Sequence, residues 1–170
     1  MVVRVIVRDY CSADVPRMRE IWNEVVEAGN AFPQFDGLSD DEEAAGFFAG
    51  QTRTTVAESD EGEIVGLYIL HPNNVGRCAH TANASYAVSS RHRGRGIGRV
   101  LVQDSLDSLA TCGFRGLQFN AVVASNIHAI RLYESLGFQR IGVIPDGFVN
   151  GENVFEDMII FYHPADGSTR

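Results

Sequence analysis

The sequence predicts a single α/β domain in which about four helices flank a mixed β-sheet of about seven strands. The chain has 170 residues, of which 45% are hydrophobic and 21% charged, as is usual for one folded domain. Its apolar patterns follow one another in the order β, α, α, β, β, β, α, β, α, β, β. We expect residues 1–163 to form the domain and residues 164–170 to be a polar tail.

The first strand and the first two helices are predicted near the N-terminus. Over residues 3–8 valine alternates with Arg4, Ile6 and Arg8, and β-branched residues dominate, which is typical of a strand. Apolar residues then recur at helical spacing over residues 12–29, with Ser12 as N-cap and a glycine stop. Ser39 and Glu42 form a capping-box pattern for a short helix that runs through residue 48.

The segment 30–38 between these helices is predicted to be an irregular loop with apolar anchors. It contains Phe32, Phe35 and Leu38 together with a proline and a glycine. Loops of this kind line substrate sites in many proteins, and they also plug hydrophobic cores. Both interpretations of the loop stay open at this point.

A β-hairpin and a crossover are predicted in the rest of the chain. Strands at 54–58 and 64–70 flank a Ser-Asp-Glu-Gly turn of hairpin length. The strand at 81–88, the helix at 97–112 and the strand at 117–123 form a right-handed crossover, so their two strands can be parallel neighbours. A helix at 126–136, capped by Asn126, and strands at 138–144 and 154–162 complete the order.

The composition excludes several classes of protein. The net charge of −8 argues against a general nucleic-acid binder, since such proteins contact many phosphates through Lys and Arg. Three cysteines without CxxC spacing suggest neither a disulfide framework nor a zinc site. Charged residues interrupt the apolar N-terminal run, so neither a signal peptide nor a membrane span is predicted. We therefore expect a soluble cytoplasmic protein without a metal.

The loop Arg93-Gly94-Arg95-Gly96-Ile97-Gly98 has the composition of a phosphate cradle. Glycines allow backbone amides to converge on one anion, and the helix that follows adds its free N-terminal donors. The dinucleotide fingerprint does not match, because the glycines are each two apart and no acidic residue follows at ribose distance. The triphosphate loop is excluded because the chain contains no lysine.

The same loop resembles the (Q/R)-x-x-G-x-(G/A) signature of the GCN5-related N-acetyltransferases, the GNAT family. The downstream pattern Asn126-x-x-Ala129-x-x-Leu132-Tyr133-x-x-x-Gly137-Phe138 resembles the second acetyl-CoA motif of that family. This resemblance implies an acyl-CoA-dependent N-acetyltransferase without a metal, on a twisted, mostly antiparallel sheet with a central, splayed parallel pair. The cofactor-binding residues that it implies are Tyr86, Val88, Arg93, Gly94, Arg95, Gly96, Ile97, Gly98 and Asn126. The family also makes a homodimer an expectation.

The chemistry that the resemblance implies is direct acetyl transfer from acetyl-CoA to an amine. A backbone amide near Tyr86 would hold the oxyanion, and Tyr133 matches the family's usual general acid. Asn126 lies seven residues before Tyr133, about two helical turns, so both side chains share one face. The base is left open between a water relay, an amine that binds already neutral and three side chains, which are His80 and, on the last strand, Glu156 and Asp157.

A narrower resemblance links residues 76–84, 119–126 and 138–145 to fungal acetyltransferases that act on proline analogues such as azetidine-2-carboxylate. It implies that Asn83 holds a substrate carboxylate and that Asn120 and Ala121 line the same pocket. Those enzymes lack a tyrosine at the position of Tyr133, which increases the importance of Asn126. Acetylation of another small amine or a protein N-terminus, and an acyl-CoA-binding sensor without catalysis, are the alternatives.

Overall fold

The structure is a computed structural model that describes residues 4–165, and it contains one seven-stranded mixed sheet. The strands follow the spatial order β1-β2-β3-β4-β5-β7-β6, and only the β4–β5 pair is parallel. The strands are β1 (Val5–Asp9), β2 (Arg53–Ser59), β3 (Ile64–Pro72), β4 (Thr81–Val88), β5 (Gly116–Val123), β6 (Gln139–Val149) and β7 (Phe155–Pro164). The predicted mixed sheet is confirmed.

Two pairs of helices cover the two faces of this sheet. The helices are α1 (Val15–Ala28), α2 (Asp41–Ala49), α3 (Ile97–Ser108) and α4 (Ile127–Ser135). Trp22 of α1 and Phe48 of α2 belong to the core on one face, together with Leu67 of β3. Leu101 of α3 and Ile130 of α4 belong to the core on the other face. Both sides of the central strands are therefore buried, as their continuous apolar sequences predict.

The helix starts differ from the sequence predictions. Ser12 begins a 3₁₀ turn, and α1 starts at Val15 after it. The predicted capping box of α2 is wrong, because Asp40 is the N-cap and accepts from the Glu43 amide at 2.9 Å. Ser39 instead donates its backbone N–H to the Glu43 carboxylate at 2.7 Å. Several polar and acidic residues in a row could each have been the N-cap of α2, and in the folded chain this position is taken by Asp40.

The C-terminal strands are longer than predicted. β6 continues to Val149 instead of ending at residue 144, because bulges let it keep pairing with β7 past Pro145 and Gly147. β7 ends at Pro164, one residue beyond the predicted domain boundary, and Ala165 is buried. The rest of the predicted polar tail, residues 166–170, lies outside the described residues.

The feature of the fold that shapes the site is the divergence of β4 from β5. These strands pair only at their first residues, Thr81 with Gly116 and Ala82 with Leu117. β4 remains paired with β3 up to Val88, so the separation opens on the β5 side alone. This is the splayed parallel pair that the resemblance implies, and it leaves a cleft in the centre of the sheet.

Candidate active site

The edge of β4 that faces the cleft carries free backbone donors. The Ser89 amide donates to Val65 at 2.9 Å and the Thr81 carbonyl accepts from Asn73 at 2.8 Å, so odd-numbered positions pair with β3. Because neighbouring residues of a strand direct their amides to opposite edges, even-numbered positions face β5. The amides of Ala84, Tyr86 and Val88 therefore point into the cleft, where β5 has already diverged.

The glycine-rich loop follows β4 and presents a series of unpaired amides. Gly94 and Gly96 have φ angles of 74° and 85°, a left-handed conformation that only glycine adopts at low cost. None of the amides from residue 93 to residue 98 donates to another group of the described chain. Gly96 is also the N-cap of α3, so the positive end of the helix dipole points at the same place. The arrangement fits a pyrophosphate, as the sequence predicts.

A cavity of about 580 Å³ lies between this loop and α4. Most of the predicted cofactor residues line it: Tyr86, Val88, Arg93, Gly94, Gly96, Ile97, Gly98 and Asn126. Arg95 is exposed and does not line the cavity. His92 and His128 also line it and were not singled out from the sequence. We refer to this space as the donor cavity.

A second cavity of about 400 Å³ adjoins the donor cavity. The structure brings together here the predicted acceptor residues Asn83, Asn120 and Ala121 with the predicted catalytic residues Asn126 and Tyr133. Four residues line both cavities, namely Ala31, Tyr86, Asn126 and Ala129. The two spaces therefore meet beside Asn126, and we refer to the second one as the acceptor cavity.

The loop between α1 and α2 forms one wall of the acceptor cavity. Phe32 lines the cavity and is also buried against Trp22, with 4.4 Å between the ring centroids. Both interpretations of the aromatic loop thus hold for Phe32, whereas Phe35 is 85% exposed. Asn23 of α1 holds the end of the loop by two hydrogen bonds to the Leu38 backbone, at 2.8 and 2.9 Å.

The two asparagines of the acceptor cavity have different surroundings. The side-chain amide of Asn83 makes no hydrogen bond with residues 4–165, so it is free to bind a ligand in the cavity. The residue as a whole is half-buried. Asn120 is exposed, accepts from Gln118 at 2.8 Å and donates to Asn73. Asn83 is therefore the freer recognition group, and Asn120 is held in one orientation by its neighbours.

Tyr133 is surrounded by aromatic rings. Phe119 lies 4.5 Å and Phe138 lies 5.5 Å from its ring centroid, and Tyr86 lies 6.5 Å away. Burial raises the pKa of Tyr133 above the ordinary phenol value, so the hydroxyl stays protonated at neutral pH. No residue among 4–165 hydrogen-bonds this hydroxyl, whereas the Tyr86 hydroxyl is paired with Ser105 at 2.7 Å. Tyr133 therefore has a proton available for a ligand.

Asn126 combines a structural and a site position. Its Oδ1 accepts from the Ala129 amide at 3.3 Å, which confirms the predicted N-cap of α4. It lines both cavities as well. The prediction that Asn126 and Tyr133 share one face of α4 agrees with their common place in the acceptor cavity.

His71 is a titratable residue of the acceptor cavity that was not singled out from the sequence. It follows the predicted strand 64–70 by one position, and β3 extends through it. Its register partner on β4 is Asn83, so the two side chains lie on the same face of the sheet. His80, a base candidate from the sequence, lies on the turn before β4 and lines neither cavity.

Other classes of site are less well supported by the described residues. Within residues 4–165, no group of three or more His, Cys, Asp or Glu is arranged to hold a metal ion. No helix in this part of the chain is long and apolar enough to span a membrane.

The fold, the splayed pair and the glycine loop define the acyl-CoA-binding class of the GNAT fold. A sequence profile of the Acetyltransferase (GNAT) family matches residues 15–138, and the chain belongs to this family. The N-acetyltransferase aca1 of Schizosaccharomyces pombe is 41% identical over 102 residues, which are 59% of this chain and 49% of aca1. The chain thus spans about half the length of that relative.

Solved structures show the same fold over nearly the whole chain. A GCN5-related N-acetyltransferase from Kribbella flavida is 38% identical, with a TM-score of 0.85 over 94% of this chain and 97% of its own. A phosphinothricin acetyltransferase from Sinorhizobium meliloti was solved in complex with acetyl-CoA and is 22% identical. Its TM-score is 0.88, over 98% of this chain and 92% of its own. These likenesses agree with the predicted GNAT fold.

Proposed function

We propose that this protein transfers an acetyl group from acetyl-CoA to the amine of a small molecule that also carries a carboxylate, such as an amino acid or a proline analogue. The observation that carries the proposal is the meeting of the donor and acceptor cavities beside Asn126. A thioester that enters along the donor cavity would there face an amine in the acceptor cavity. Such positioning of two reactants accounts for a large part of the rate of a bimolecular reaction.

The donor side is supported by the chemistry of the glycine loop. The free amides from residue 93 to residue 98 and the N-terminus of α3 suit the pyrophosphate of acetyl-CoA. Arg93 lines the donor cavity and can add a charge-assisted contact. The amides of Tyr86 and Val88 are available to the pantetheine arm and, near the thioester, to the developing oxyanion.

The acceptor side is supported by the size and polarity of its cavity. A volume of about 400 Å³ suits a small molecule, and none of the described residues that line it is Asp, Glu, Lys or Arg. A carboxylate would be recognised by neutral donors, chiefly the free Asn83 amide. A protein N-terminus remains the second acceptor class, because similar structures include a ribosomal-protein-alanine N-acetyltransferase from Brucella melitensis beside the phosphinothricin acetyltransferase.

The proton for the departing thiolate is assigned to Tyr133. Tyr133 lines the acceptor cavity, and its hydroxyl is protonated and hydrogen-bonded to none of the residues 4–165. Asn126 can donate an amide N–H to the sulfur while its oxygen caps α4. Together the two side chains would stabilise the leaving group.

The test is thiol release from acetyl-CoA in the presence of a panel of amines. The panel contains primary amino acids, cyclic imino acids such as azetidine-2-carboxylate and proline, and peptides with free N-termini. We expect the highest kcat/KM for a small amine with a carboxylate. A preference for peptides would favour the protein substrate, and acetyl-CoA binding without release for every amine would favour the sensor.

Asn83→Ala is expected to raise the KM for the acceptor about 10- to 100-fold, since a lost charge-assisted hydrogen bond costs about 1.5–3 kcal/mol. The KM for acetyl-CoA should stay the same, because Asn83 does not line the donor cavity. Asn74→Ala, on an exposed loop outside both cavities, is the matched control. Equal acceptor KM values for the two variants would contradict the role of Asn83. The methyl ester of the acceptor should be less affected by the substitution, because its carbonyl oxygen accepts a hydrogen bond but carries no charge.

We also propose that the chain forms a homodimer through β6 and that it works in the cytoplasm. β6 is an edge strand of the sheet. Three apolar side chains at this edge are exposed, namely Ile141 and Val143 of β6, at 60% and 53%, and Phe155 of β7, at 66%. Light scattering is expected to give the mass of two chains for the unaltered protein. For Val143→Arg it is expected to give the mass of one chain. The mass of one chain for the unaltered protein would contradict the proposal. The assignment to the cytoplasm is supported by the three free cysteines, which fit a reducing compartment.

A further inference from the structure

We propose that His71 is the general base that removes a proton from the acceptor ammonium group. This inference rests on the proposed acetyl transfer and adds the group that makes the amine nucleophilic. An amino acid or imino acid is protonated on nitrogen at neutral pH, and its nitrogen has no lone pair with which to attack. The site therefore needs a proton acceptor on the amine side of the cleft.

His71 is the side chain of the acceptor cavity that suits this task. Among the described residues that line the cavity there is no carboxylate, and the other titratable groups are the phenols Tyr86 on β4 and Tyr133 on α4. Burial raises the pKa of both phenols, so neither accepts a proton near neutral pH. The segment of the α1–α2 loop that faces the cavity carries no charge. Imidazole is the side chain that exchanges protons in the physiological range.

The hydrogen bonding of His71 assigns its tautomer. Nδ1 lies 3.0 Å from the backbone oxygen of Pro72. Because a carbonyl oxygen can only accept, Nδ1 carries the hydrogen, and the lone pair of the neutral ring is on Nε2. No described residue hydrogen-bonds Nε2. The ring thus has a basic atom available for a ligand.

The place of His71 next to Asn83 gives the base the correct geometry relative to the substrate. The two residues are register partners on β3 and β4, and both line the cavity. In an α-amino acid the nitrogen and the carboxylate are attached to the same carbon. A substrate whose carboxylate binds Asn83 therefore has its nitrogen within reach of the neighbouring strand position.

The proposed step balances as follows. Nε2 of His71 takes one proton from the ammonium group, and the nitrogen lone pair forms the new bond to the thioester carbon. The carbon–sulfur bond breaks, and the second proton of the nitrogen reaches the sulfur by way of Tyr133. The products are the amide, free CoA thiol and a protonated His71, which releases its proton to solvent.

His71→Gln is expected to lower kcat/KM about 100-fold at neutral pH with unchanged acetyl-CoA affinity. The unaltered protein should react with the protonated amine, so that its rate does not follow the fraction of free amine in solution, whereas the variant should depend on that fraction. Its rate should instead rise about tenfold per pH unit as the free amine forms in solution. Added imidazole should partly restore His71→Ala. His80→Gln, an exposed histidine outside both cavities, is the matched control and should behave like the unaltered protein.

The outcomes separate this inference from the proposed function. Thiol release by the unaltered protein together with an unchanged rate and pH profile in His71→Gln would overturn the role of His71 and leave acetyl transfer in place. A raised acceptor KM with unchanged kcat and pH profile would overturn it too, since it would make His71 a binding group. No release by the unaltered protein with any amine would overturn both proposals.

Discussion

Gly98→Asp is expected to weaken acetyl-CoA binding at least 100-fold and to leave the fold intact. Gly98 is the second residue of α3 and lines the donor cavity, where an aspartate would place a negative charge among the amides that suit pyrophosphate. Juxtaposing like charges in a binding site costs several kcal/mol, and 100-fold in affinity corresponds to about 2.7 kcal/mol. Titration calorimetry with acetyl-CoA measures the effect.

The stability of this variant should be unchanged or slightly higher. A Cβ at Gly98 would meet only Leu132 Cδ2, at 3.6 Å, which is ordinary van der Waals contact. An acidic residue in the first turn of a helix also interacts favourably with the helix dipole. Loss of binding without loss of melting temperature would thus identify the loop as the anion site.

Two controls accompany Gly98→Asp. Gly98→Ala adds a methyl group without charge and should weaken binding less than the aspartate does. Gln103→Glu places the same charge on an exposed position of α3 outside the donor cavity and should leave the affinity for acetyl-CoA unchanged. Full affinity in Gly98→Asp would refute the proposal that the loop binds the pyrophosphate.

Tyr133→Phe is expected to lower kcat about 100-fold or more with little change in either KM. The substitution removes one hydroxyl that no described residue hydrogen-bonds, and the ring remains packed against Phe119 and Phe138. General acids contribute about 10²- to 10⁴-fold to such reactions. Tyr10→Phe, outside both cavities, is the control and should keep full activity.

The pH dependence gives a second measurement of the same role. Since burial raises the pKa of Tyr133, its acid form persists as pH rises toward the ordinary phenol value of about 10. The kcat of the unaltered protein should therefore show no falling limb between about pH 7 and pH 9. An unchanged kcat in Tyr133→Phe would mean that water protonates the thiolate while Asn126 stabilises it by a hydrogen bond, as the resemblance to enzymes without this tyrosine allows.

The donor half of the site was predictable because its information is local. The glycine loop, the N-cap at Asn126 and the position of Tyr133 on α4 depend on spacing within a few residues, and the structure brings these elements together around one cleft. The element order likewise indicated a mixed sheet with one parallel pair. Helix starts were less predictable, as the N-cap of α2 illustrates, because several neighbouring acidic residues could cap it.

The acceptor half depended on contacts between distant parts of the chain. The α1–α2 loop is held by the Asn23 side chain at one end, and at the other end the Gly29 carbonyl accepts from Gly151 of the β6–β7 turn at 2.8 Å. His71 enters the site through the register between β3 and β4, which no local pattern specifies. The sequence also left undecided whether Phe32 belongs to the core or to the site, and the structure shows that it belongs to both.

By itself, the sequence determined the family, the order of elements and the anion-binding loop, since these follow from local spacing and from residue chemistry. Only the tertiary structure decided at which residues β4 and β5 stop pairing, which side chains line the acceptor cavity and the pairing of His71 with Asn83. The physical reason is that strand register and loop packing are set by contacts between residues far apart in the chain. A one-residue change of register would move every side chain of a strand to the other face.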